Sequence, residues 1–278
     1  MRVLIILFLF SGLAAKAQNQ SLHVFLGGSN YQGELKVDRF STVGFGRAVG
    51  AIYRNQFSNL FAVRLGISSG LIMGDDAKTG VPERNLQFMS YIYDGYAALE
   101  FRLWNHDKFK IVPYGYAGVG AFHFNPFVHY GDKNQRVFLQ PLGTEGQGLP
   151  QYPDRKMYKT TQVFIPFGGG LLYPLSEKWI LGIEARLNKT FTDYLDDVST
   201  RYARPDVLLQ GRGQLAVDLA WRGDEFNNRP YPANESIRGN PNNKDWFYYV
   251  GFTLGINIDA GNSKYLKHVR NTMGCPKW

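Results

Sequence analysis

From Trp179 to Asn188 the side chains alternate without a break. Trp179, Leu181, Ile183, Ala185 and Leu187 share one parity; Ile180, Gly182, Glu184, Arg186 and Asn188 share the other. A strand sends successive side chains to opposite faces, so this run within Lys178–Val198 sets an apolar row against a mostly polar one. A helix would scatter both rows around its axis. The rhythm recurs in Leu60–Ile72, where Phe61, Val63, Leu65 and Ile67 oppose Ala62, Arg64, Gly66 and Ser68. In Leu86–Leu103, Met89, Tyr91, Tyr93, Ala97, Leu99, Phe101 and Leu103 oppose Asp94, Tyr96, Glu100 and Arg102. In Trp246–Ile258, an apolar row from Trp246 through Tyr248, Val250, Phe252, Leu254 and Ile256 to Ile258 opposes Gly251, Thr253, Gly255 and Asn257.

One such strand also fits a soluble sheet with a wet face. Repetition, an export signal and the spacing of the strands point elsewhere. Four further strands are expected at Ser21–Tyr31, Val43–Asn55, Ile111–Phe124 and Lys159–Tyr173. The facing of the last two, both glycine-rich, is ambiguous. The connections QFSN, WNHDKFK and PLSE are short. The other four span roughly eleven, thirteen, thirty and fifty residues, and such alternation marks a barrel with chemically different ends. The expected fold is all-β: an eight-stranded antiparallel transmembrane β-barrel with short periplasmic turns and long extracellular loops.

Residues 1–17 read as a secretory signal, with Met1-Arg2, an apolar Val3–Gly12 and an Ala15-Lys16-Ala17 cleavage site. Cleavage after Ala17 leaves a barrel at 18–258 and a basic tail at 259–278, and addresses the chain to the cell outer membrane. The one cysteine, Cys275, is far from the cut, which argues against a lipid anchor, and it has no internal disulfide partner. No apolar run reaches about eighteen residues, against a helical membrane protein. The 17 Tyr, 20 Phe and 31 Gly suit interfacial aromatics and a crowded barrel interior. Losing Arg2 and Lys16 with the signal lowers the formal charge from +8 to +6, a modest excess that fits an anionic surface.

Six charges point inward: Arg64, Arg102 and Arg186 against Asp94, Glu100 and Glu184. An eight-stranded barrel has room for side chains but not for a water channel. These charges therefore read as a self-neutralised filling rather than an ion path or a proton relay. The glycine clusters Gly27-Gly28, Gly44-Phe45-Gly46 and Gly168-Gly169-Gly170 lack the Lys-Ser/Thr of a phosphate loop, so no nucleotide cofactor is expected. The five histidines lack metal-ligand spacing. His123 near a strand end does not by itself make a lipid-active enzyme, and no catalytic residue is expected. Asp193, Asp196 and Asp197 could attract calcium, but their spacing is not that of an EF-hand, and a solvated loop base is the preferred reading; no metal site is assigned. The sequons at Asn188 and Asn234 and the tripeptide Arg222-Gly223-Asp224 carry no weight alone. No nucleic acid or small-molecule substrate is implied. Phe138–Gly148 and Phe191–Asp245 are too long for plain connectors, and loops of such length are functional or disordered; the second, rich in Arg, Asn and Pro, reads as a partner-binding or cell-surface segment.

Five segments resemble the DUF6089 family, that of the PorG outer-membrane barrel of the type IX secretion system of Bacteroidota. They are Gly27–Leu35, Pro113–Pro126, Leu139–Gly148, Ile165–Tyr173 and Lys189–Thr200. The more specific are LQPLGTEGQG, with Leu139, Gln140, Pro141, Gly143 and Glu145, and FTDYLDDVS, with Phe191, Thr192, Asp193, Tyr194, Asp196 and Asp197. The resemblance implies a non-catalytic barrel, set in outer-membrane lipid. It also implies work with a periplasmic ring lipoprotein and associated secretion components, in protein export and gliding. The alternative is a stand-alone barrel for surface adhesion or envelope integrity. The tail with Cys275 reads as a loose end or a periplasmic docking peptide.

Overall fold

The computed structural model describes residues 19–36, 43–79, 81–104 and 110–258. The signal segment 1–17, the tail 259–278 and Cys275 lie outside the described residues. Eight long strands run antiparallel: β1 (Asn19–Gln32), β2 (Gly46–Gln56), β3 (Phe61–Asp75), β4 (Gln87–Arg102), β5 (Val112–His123), β8 (Thr161–Pro174), β9 (Trp179–Thr190) and β10 (Trp246–Asn257). A short hairpin, β6 (Phe127–Tyr130) and β7 (Gln135–Phe138), stands between β5 and β8.

Each long strand pairs with its neighbour in sequence, and β1 closes the ring on β10 through twelve register positions from Ser21↔Asn257 to Gln32↔Trp246. The result is a closed eight-stranded antiparallel β-barrel, with no edge among these strands. Boundaries fall within a few residues of those expected. The second strand begins at Gly46 rather than Val43, and the strand opening at Trp179 ends at Thr190. No helix among the described residues is long and apolar enough to cross a membrane, which says nothing about crossing by strands.

Alternation sorts the side chains as the hydropathy pattern requires. Ile67, Val119, Val163 and Phe252, from four strands, are 61–69% exposed on the outer wall. Leu22, Val24, Leu26, Leu65, Leu99, Ile183 and Leu254 join them. Their inward neighbours Arg64, Glu100, Glu184 and Thr253 are buried. Around the short-turn end the outer wall turns aromatic, with Phe57 stacked on Phe61 at 6.4 Å, Phe61 against Phe101 at 5.3 Å, and Trp179 exposed. Tyr248 shares the outward parity but is covered, with the Phe45 ring edge-on at 6.0 Å.

The ambiguous strands resolve through their partners. Tyr114 and Tyr116 of β5 point inward and pair with Gly170 and Gly168 of β8; Tyr96 of β4 pairs with Gly66 of β3. A side chain at Gly66 would overlap the Tyr96 ring, and at Gly168 or Gly170 the neighbouring strand's backbone. The glycines thus let three phenol rings lie across the lumen.

The described parts of the long connections are folded. They carry the β6–β7 hairpin, a 3-10 turn at Gln140–Leu142, and short helices α1 (Asp76–Thr79), α2 (Pro205–Arg212), α3 (Gln214–Ala220) and α4 (Gly223–Asn227). Together they form a cap over one end of the barrel. Beneath it lies an aromatic layer: Phe247 sits 5.2 Å from Phe122, 5.7 Å from Phe164 and 5.7 Å from Tyr249.

Candidate functional site

Two polar centres stand out, one in the lumen and one in the cap. In the lumen, Glu184 of β9 accepts hydrogen bonds from Tyr114 (2.6 Å), Tyr116 (2.8 Å), Arg54 (3.3 Å) and Arg64. Glu100 of β4 accepts from Arg54 Nε (2.9 Å), Arg64 Nη1 (3.4 Å) and Arg102 Nε (3.1 Å). Arg102 also donates to Gln56 at 2.6 Å. One layer toward the cap, Arg186 donates to both oxygens of Asp94, at 3.0 and 2.9 Å, and Tyr249 donates to the same carboxylate at 3.0 Å. All six charges singled out in the sequence meet in the barrel interior and are buried.

Their tally was incomplete. Arg54, fully buried, links Glu100 to Glu184 and lies 3.1 Å from both ring nitrogens of His23, so four guanidinium groups face three carboxylates. The signal was present: Arg54 shares the parity of Ala48, Gly50 and Ile52. The surplus charge lies against aromatic faces, which attract cations. Arg64 sits 3.8 Å from the Tyr116 centroid, Arg54 4.9 Å from Tyr114, and Arg186 4.6 Å from Tyr96 and 4.5 Å from Tyr249. A cavity of about 10 Å³ bordered by Glu184, Arg186 and Tyr96 holds one water at most. The lumen is filled.

In the cap, Glu145 is the hub. Its carboxylate, fully buried, accepts from Ser199 N (2.8 Å), Thr200 N, Thr200 Oγ1 (2.6 Å), Arg238 Nη1 (3.0 Å) and Tyr194 OH (3.2 Å). Thr144 and Tyr158 donate to Asp197 at 2.6 and 2.7 Å, and the Tyr158 and Tyr194 rings stack at 4.6 Å. The LGTEGQG and DYLDDVST segments therefore pack directly on each other. Gly143 and Gly146 take positive φ (54° and 83°), turning the chain tightly enough to bring Glu145 inward. Leu139 is buried, with its N–H on Pro126 O; Gln140 and Pro141 open the 3-10 turn; Phe191 is exposed.

The first motif segment joins them. Asp196 accepts from Tyr31 OH (3.1 Å), Glu34 N (3.1 Å) and Leu35 N (3.3 Å), beyond the end of β1. Arg84 grips Asp76 at 2.6 and 2.8 Å and donates to the carbonyls of Arg238 and Glu34. Thr192 O accepts the Asp245 N–H at 3.0 Å. Asp196 and Asp197 are thus buried among partners from other connections, and Asp193 is buried beside them, not solvated at a loop base. Burial raises their carboxyl pKa values, to about 7 for Asp193 and about 6 for Asp196 and Asp197. Glu34 is pushed up to about 9, by burial and then by the charges of Asp196 and Asp193.

Residues 1–138 match the family model described as Domain of unknown function (DUF6089). The segments Gly27–Leu35 and Pro113–Pro126 fall within that match, and the three later ones lie beyond it. No curated protein matches the chain. Among solved structures it is similar to Ail, the attachment invasion locus protein of Yersinia pestis, at 9% identity and a TM-score of 0.42, over 87% of this chain and 100% of that one. It is similar to Neisserial surface protein A at 8% identity and a TM-score of 0.40, over 85% and 96%. With the outer membrane protein OprG of Pseudomonas aeruginosa the values are 12%, 0.38, 87% and 98%. At such identities the likeness concerns the fold; barrel closure stands on the strand pairing itself.

Proposed function

We propose that this chain is an outer-membrane β-barrel that acts as a non-catalytic structural component of a type IX protein secretion, gliding-associated machine. The observation that carries the membrane reading is the outer wall. A continuous ring of exposed Leu, Ile, Val and Phe around a closed barrel far exceeds the apolar patches soluble monomers tolerate, and suits lipid. The short-turn end then faces the periplasm and the cap faces outward. The structural reading is supported by how the lumen is used: its carboxylates are engaged by guanidinium and phenol groups, and its volume is filled.

The secretion role draws on the resemblance of the five motif segments and the family match over residues 1–138. Its partners would be outer-membrane lipid around the wall and a periplasmic ring lipoprotein at the turns, with residues 1–17 directing export. A deletion strain should lose secretion of type IX cargo. A photo-crosslinker at Ser58 or Glu177, in the short turns, should capture the ring lipoprotein. Normal cargo secretion in the deletion strain would defeat the assignment and favour the stand-alone adhesion or envelope reading.

A further inference from the structure

The cap gathers more carboxyl groups than its hydrogen bonds account for. Glu34 beyond β1, Asp193 beyond β9 and Asp245 just before β10 each bring a carboxylate oxygen to within 4.8 Å of the other two. Asp245 is fully buried; one of its oxygens accepts the Leu195 N–H at 2.9 Å, and the other has no partner. Glu34 accepts the Asn240 N–H at 3.3 Å on one oxygen, and its other oxygen, buried, has none. Neither oxygen of Asp193, itself 2% exposed, has a well-formed hydrogen bond, although Ser199 and Lys244 lie close enough to favour its charged form. Among the described residues no ion pair reaches any of the three. Gly33 lies beside the group, and a side chain there would overlap the Asp245 carboxylate.

Buried carboxylates this close together, with several oxygens unpartnered, are costly in their charged form unless a cation sits among them. We propose that Glu34, Asp193 and Asp245 form a calcium site that clamps the β1–β2 connection to both ends of the β9–β10 connection. Three oxygens all within 4.8 Å of one another share a point close to calcium bonding distance, about 2.3–2.6 Å, from each. The donors are all oxygen, with no imidazole or thiolate in the group, which selects a hard cation. Calcium fits better than magnesium because it accepts irregular carboxylate geometry and sheds its water readily, whereas magnesium keeps a near-octahedral, hydrated shell. The site ties the ends of β1, β9 and β10, adjacent strands of the barrel, at the base of the cap. It does not depend on the secretion role.

The test uses the full chain refolded in detergent micelles at pH 7.5, titrated calorimetrically with calcium and digested with trypsin with and without chelator. One calcium should bind with a Kd of about 10⁻⁴–10⁻³ M, as in extracellular modules, and protect the cap from cleavage. Asp193→Asn removes a charge without removing a well-formed hydrogen bond, so it should keep the heat-modifiable electrophoretic shift of a folded barrel. It should lose at least about tenfold in calcium affinity, on the scale of disrupted metal sites. Glu34→Gln should act in the same direction. No calcium binding by the folded wild-type protein, or wild-type affinity in folded Asp193→Asn, would overturn the site. Magnesium displacing calcium at equal concentration would overturn the choice of ion.

Discussion

Glu184 receives hydrogen bonds from two arginines and two tyrosines, and only 5% of its surface is exposed. Removing one partner of a buried charge network leaves the others desolvated and uncompensated, which costs about 3–5 kcal/mol. Glu184→Ala should therefore lower barrel stability by that order in urea unfolding monitored by tryptophan fluorescence in micelles, while Lys178→Ala in the adjacent turn should change little. A loss under about 1 kcal/mol, the scale of an exposed pair, would mean that the network is solvated. The six inward charges were legible because each sits in a strand with clean alternation. Arg54 shared the right parity, but the opposite row of its strand also carries polar residues, Arg47 and Asn55, so period two is weak there. The pairing of tyrosines with Gly66, Gly168 and Gly170 was hidden for a related reason. A glycine opposite a tyrosine is a cross-strand relation, and a single sequence does not carry register.

At the scale of elements, the barrel strands follow from alternation, whereas the cap does not. Its helices are short, and α2 begins at Pro205 without a side-chain cap, so local signals are faint. Its order comes from contacts between distant segments: Glu145 with Ser199 and Thr200, Asp197 with Thr144, Arg84 with the Arg238 carbonyl. Only the motif segments hinted at this, by being specific where a bare loop would have no need to be. Glu145→Ala would leave the buried Arg238 guanidinium without its carboxylate, keeping only the Asp197 carbonyl, and orphan the Ser199 and Thr200 amides, a cost of about 3–5 kcal/mol borne by the cap. The expected result is rapid tryptic cleavage within residues 191–245 with the barrel's heat-modifiable shift retained. Cleavage at the wild-type rate would show that the two motifs do not depend on each other.

For the whole molecule the question is what closes it: the cap above, or the charged and aromatic layers within. The helical excursion of the β9–β10 connection leaves and returns at a narrow base. There Glu235 N–H donates to Tyr202 O and Tyr202 N–H to Ser236 O, each at 3.0 Å, beside the Arg201↔Ile237 bridge. Residues 203–234 supply neither of those two hydrogen bonds and none of those to the Glu145 carboxylate, so a short glycine-serine linker can replace them. Below it, the lumen keeps the Phe122–Phe164–Phe247 layer and the network around Glu184, with strands close enough that no pore remains. Both the intact and the excised protein should give no steady single-channel conductance in planar lipid bilayers. A stable channel in the excised form alone would place the seal in the helical excursion; one in both would show that the lumen is open. Silence in both places the seal in the barrel wall's own side chains, which frees the cap for contacts with other molecules and leaves the fold dependent on one closed ring of strands.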